Sequence, residues 1–71
     1  STGSEQILEF ERKLESKGFT YNKDKTGTHF GGDIYQKSIQ KNNEDYTLEL
    51  EVGYSSDTLA FTIDAYKTNN A

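Results

Sequence analysis

Asp33 to Gln40, DIYQKSIQ, decides the fold of this 71-residue chain. As a helix capped by Asp33, it would set the glycine-dense stretch Thr26 to Gly32, TGTHFGG, at a helix N-terminus, where amides and dipole gather an anion. As a strand, it would make that stretch a connection and no more. The spacing favours the strand. Tyr35, Lys37 and Ile39 alternate, whereas Ile34 and Ile39 lie five apart and form no helical stripe. The two isoleucines would then face opposite sides, which predicts a bulge, with Gly31-Gly32 as one position for it.

Downstream, Lys41-Asn-Asn-Glu-Asp45 reads as a hairpin loop into Tyr46 to Tyr54, YTLELEVGY. There Tyr46, Leu48, Leu50 and Val52 point one way and Thr47, Glu49 and Glu51 the other, so one side is core and the other water. Leu59, Phe61, Ile63 and Ala65 repeat the apolar beat after the loop Ser55-Ser56-Asp57, with Thr62, Asp64 and Tyr66 outward. A turn at Ser55 and Ser56 sets Leu50 opposite Phe61 and Leu48 opposite Ile63.

Upstream, Phe19 to Tyr21 has strand character, and Asp24-Lys25-Thr26-Gly27 carries Asp first and Gly last, as a type I hairpin turn does. Before it, Ile7, Phe10 and Leu14 recur at three and four, the stripe of an amphipathic helix, with Leu8 off the stripe. Thr2 and Glu5 fit a capping box, with Ser4 as an alternative cap. Gly18 supplies a left-handed end, and Phe19 stands where a Schellman cap returns an apolar side chain to Leu14. The expected fold is α+β in two layers: one N-terminal helix packed on a three- to four-stranded antiparallel meander, a single small domain over 1–71 with 1–3 and 68–71 frayed.

Composition narrows the function. At 71 residues, ten Ile, Leu and Val and nine Phe and Tyr supply one modest core. Cysteine is absent, which removes disulfides, thiol nucleophiles and thiolate metal sites. No apolar run is long enough for a membrane helix, so no membrane role is expected. A net charge of −4 with dispersed basic residues argues against direct nucleic-acid binding, which draws on Lys and Arg clusters. The same acidic frame argues against a base-stacking role for the five tyrosines.

Three features invite a chemical reading. TGTHFGG lacks the Gly-Lys-Ser/Thr ending of a phosphate loop and the spacing of a dinucleotide loop, so turning the chain is its simpler use. His29 has no second histidine or cysteine to share a metal, and nothing beside it in sequence marks a nucleophile. Glu49, Glu51 and Asp64 share the water side of adjacent strands, but an open face neither shifts a carboxyl pKa nor wraps a cation. No catalytic residue, metal or cofactor is expected. The expected role is a non-enzymatic protein-binding module using an acidic and aromatic open sheet face or an exposed strand edge, with anchors among Glu49, Glu51, Thr62, Asp64 and Tyr66. Its partner would be another protein, basic in character, or a second copy of the chain. The alternative is a small ligand- or nucleotide-binding domain or enzyme using residues 26–32 with His29 and Asp33; the sequence names no compartment.

Overall fold

A computed structural model describes residues 3–56 and 58–68. It comprises α1 (Gly3–Ser16), β1 (Thr20–Thr26), β2 (Asp33–Lys41), β3 (Glu44–Ser55) and β4 (Thr58–Lys67). The strands form one antiparallel sheet in the order β1-β2-β3-β4, and the N-terminal helix packs against it, giving the α+β two-layer fold expected. Asp33 to Gln40 is strand throughout.

The helix ends as its residues dictate. Gly18 adopts φ +92°, its amide donates to Glu15 O, and Phe19 N–H reaches back to Leu14 O at 3.0 Å. These are the two bonds of a Schellman cap, and Phe19 packs beside Leu14 as that motif requires. Lys37 Nζ donates to Lys17 O at 2.7 Å and adds charge to the helix C-terminus. Of the expected N-terminal caps, Thr2 lies outside the described residues, and Ser4 falls inside the helix. Gly3 is the first described helical residue, and Thr68 N–H donates to Asp45 O at 2.9 Å.

The core lies between helix and sheet. Leu14 packs with Tyr35, Leu50 and Val52, and Phe10, Phe19 and Leu59 close around them. Tyr35 sits in this layer because its hydroxyl finds an acceptor, Glu11 Oε2 at 2.8 Å. The helix is about 21 Å long, whereas twelve-residue β3 runs roughly 40 Å, so one end of the sheet stays uncovered. Phe61 and Ile63, expected in the core, lie level with buried Val52 and Leu50, but on edge strand β4 with no strand beyond them they are 55% and 52% exposed.

Three connections differ from expectation. The β1–β2 turn is not Asp24 to Gly27: those first residues belong to β1, which bulges between Asn22 and Thr26, and the chain reverses over 27–32, closed by Gly27 N–H on Gly32 O. Asn22 Oδ1 accepts Asp24 N–H and nucleates the bulge. The bulge therefore belongs to β1, while β2 keeps unbroken register with β3; Ile34 does face away from Ile39, and it is buried because the 27–32 connection folds over it. The β2–β3 loop is shorter than expected, only Asn42-Asn43 at φ 53° and 65°, the left-handed pair of a type I′ turn. At the β3–β4 turn the register lies two residues from expectation, with Leu50 opposite Ile63 and Val52 opposite Phe61. The left-handed residue is Ser56, φ 55°, and Ser55 already pairs with Thr58; a two-residue shift leaves every side chain on its expected face. Among the described residues no helix is long and apolar enough to cross a membrane.

Candidate functional site

Glu49, Glu51, Thr62, Asp64 and Tyr66 all project from the sheet face opposite the helix, Glu51 across from Thr62 and Glu49 across from Asp64. They do not form one exposed surface. Glu51 is only 4% exposed, which corrects its expected place in water. Its Oε1 accepts His29 N–H at 3.0 Å, and its Oε2 accepts Phe30 N–H at 2.6 Å and Gly32 N–H at 3.0 Å. The glycine loop does cradle an anion, but the anion is the protein's own carboxylate. Burial raises the Glu51 pKa, and the amides of Gly32, His29 and Phe30 more than offset it, leaving the carboxyl below the ordinary glutamate range.

The glycines follow from this geometry. A methyl group on Gly27 would fall on the Glu51 carboxylate, one on Gly32 on Val52 O, and one on Gly53 on the Phe30 ring. Gly31, φ +65°, supplies the left-handed residue that turns the amides inward. The loop is an anion nest closed on an internal ligand.

Glu49 is also partnered. Its Oε1 receives Lys25 Nζ at 2.9 Å, Gln36 Nε2 at 2.8 Å and the Tyr66 hydroxyl at 3.0 Å. The Lys25 bond does most to hold its carboxyl below the usual range, against partial burial and with help from Gln36 and Tyr66. Asn22 Nδ2 extends the chain by donating to Gln36 Oε1. Lys25 and Gln36 carried no expectation in the sequence; the β1 bulge, which aims Lys25 back over the sheet, has no periodic signature.

His29 and Asp33 do not converge. His29 contributes its amide to Glu51 and its side chain is exposed, whereas Asp33 lies opposite Val52 on the helix face, beside Glu11. Burial, followed by contact with Asp33, raises the Glu11 pKa against the lowering bond from Tyr35. Among the described residues no three His, Asp or Glu side chains are arranged to hold a metal ion.

The sheet's two edges are unlike. Edge strand β1 pairs irregularly, is broken by a bulge, and carries Lys23, Asp24 and Lys25 at the break. Edge strand β4 holds ten residues in unbroken register with β3, and its only charges are Asp64 and the terminal Lys67. Its helix-side row includes Phe61 and Ile63, the two most exposed large apolar side chains among the described residues, and its other row holds Thr62, Asp64 and Tyr66. Phe61 is steadied from one side by the Phe10 ring, 5.5 Å between centroids. No protein-family model, curated protein or solved structure matches this chain.

Proposed function

We propose that this chain is a non-enzymatic protein-binding module that takes up an extended segment of its partner along the free edge of β4. The observation that carries the reading is the contrast between the edges. Sheets shield an edge from pairing by shortening it, bulging it or placing lysines on it. β1 has a bulge with two lysines at it, whereas β4 is unbroken and carries no lysine before its terminal residue. Strand addition draws affinity from main-chain hydrogen bonds and selectivity from alternate side chains. Here Phe61 and Ile63 offer an apolar row, and Thr62, Asp64 and Tyr66 a polar one in which Asp64 favours a basic residue on the docked strand.

The open face suits docking less well, since Glu49 and Glu51 each already accept three hydrogen bonds from within the chain. The same holds for a ligand at the glycine loop, three of whose amides are engaged.

Which amides face outward follows from the turn. A two-residue hairpin makes Ser55 and Thr58 a bonded pair, so the bonded pairs with β3 fall at every second residue, and the main-chain groups of Leu59, Phe61, Ile63 and Ala65 point to the free side. Proline at Ile63 removes an outward N–H without breaking the β3 ladder. Peptides selected from a random display library on the wild-type chain are expected to alternate apolar and polar residues and to lose binding to Ile63→Pro and Phe61→Lys. Equal binding to these variants, with an unchanged circular-dichroism spectrum, would remove β4 as the docking edge.

A further inference from the structure

Resting on that reading, we infer that the segment received by β4 is β4 of a second copy of this chain, paired antiparallel about a two-fold axis through Thr62. The axis is fixed by phase, overlap and side-chain chemistry together. An axis at Thr62 sets the outward groups of Phe61 against those of Ile63 in the other copy, and Leu59 against Ala65, each pair occurring twice. Both rows on the helix side are then apolar. On the opposite side Thr62 meets Thr62, Ala60 meets Asp64, and Thr58 meets Tyr66, so no like charges stand opposed.

Neighbouring registers do worse. An axis at Ile63 sets Lys67 against Leu59, and one at Asp64 sets the two aspartates against each other. Only the Thr62 axis overlaps nearly the whole of β4 and makes Phe61 and Ile63, the two most exposed large apolar side chains among the described residues, cover one another. The two-fold also keeps both helices on one side of an eight-stranded sheet. The helix-covered end of one copy then abuts the uncovered end of the other, where Ala65 is exposed and Leu48 and Tyr46 are half-buried.

An interface made chiefly of one strand edge is small, so association is expected to be weak and concentration-dependent. Sedimentation velocity at rising concentration, through the roughly micromolar to millimolar range that corresponds to about 8 to 4 kcal/mol of association free energy, should show wild type moving from monomer to dimer. Phe61→Lys and Ile63→Pro should stay monomeric with unchanged circular dichroism. The chain has no cysteine, so Thr62→Cys gives a clean test of register: residues facing across a non-bonded pair are close enough for a disulfide. Thr62→Cys should cross-link in air at least ten times faster than Tyr66→Cys, whose copies lie at opposite ends of the paired strands. A monomer over the whole range, a dimer that persists in both edge variants, or equal cross-linking of the two cysteine variants would each overturn self-pairing. A monomer that still binds display-selected peptides at β4 overturns the second copy while edge docking stands. A monomer whose peptides bind Ile63→Pro and Phe61→Lys equally well overturns both.

Discussion

Replacing Glu51 by Gln keeps the shape of the buried side chain and removes one of its two acceptors. The carboxylate serves three amides, one through Oε1 and two through Oε2. A glutamine can place its oxygen at only one of those positions, and its NH2 then faces an N–H donor at the other. The better placement keeps Phe30 and Gly32 and abandons His29. Losing a hydrogen bond to a charged acceptor corresponds to roughly a 10- to 100-fold change in the local opening equilibrium. Hydrogen exchange at the His29 amide is therefore expected to quicken by about that factor, with a smaller increase at Phe30 and Gly32, whose acceptor becomes neutral. The side chains of the core cluster lie on the other face of the sheet from the Glu51 carboxylate, so circular dichroism and exchange at Leu50 should change little. Acid makes the same point in wild type. Because the folded pKa of Glu51 lies below its unfolded value, the stability it contributes is fully present above the unfolded glutamate value of about 4.3. That contribution drains away as pH falls through the folded value. Protection of the three amides, corrected for intrinsic rate, should fall in that acid range in wild type and remain flat in Glu51→Gln. Equal exchange in the two proteins, or no acid dependence in wild type, would refute the nest.

Gly27→Ala should open the same loop, because its methyl displaces the carboxylate, and its effect should add little to that of Glu51→Gln when amide exchange of the double variant is compared with the singles. Leu14→Ala, which empties the centre of the buried cluster, should cost about 2–5 kcal/mol in urea unfolding, whereas Ile63→Ser on the exposed edge should fall well below that. Asn43→Val forces a β-branched residue into a left-handed turn and should cost about 1–2 kcal/mol, with Asn43→Gly close to neutral in the same urea melts.

Most of the architecture is legible in residues whose spacing is geometry. Tyr35, Lys37 and Ile39 alternate because a strand's side chains do, and Gly18 followed by Phe19 writes a helix end into two letters. What the period of two gives is the face of a residue and not its cover. Glu51 keeps its expected side of β3, yet it is buried, because a loop from elsewhere in the chain closes over it. Ile34 could have pointed to that loop: an isoleucine on a face otherwise polar needs a roof, and the nearest glycine-rich segment is the one that provides it. The two-residue register shift in the last hairpin left facing intact and was invisible to an alternation argument, since Ser55-Ser56 and Ser56-Asp57 are equally good turns on composition. Nothing in local sequence tells that β4 ends the sheet, and that edge position turns Phe61 and Ile63 from core residues into an exposed row.

The central claim, that β4 is the edge this protein uses, is tested most directly by amide exchange of the isotopically labelled chain, dilute and then saturated with its strand partner, a second copy or a display-selected peptide. New protection is expected at Leu59, Phe61, Ile63 and Ala65, with Lys23, Asp24 and Lys25 on β1 unchanged. Protection appearing instead on β1 or across 27–32, with the β4 amides exchanging as before, would contradict it.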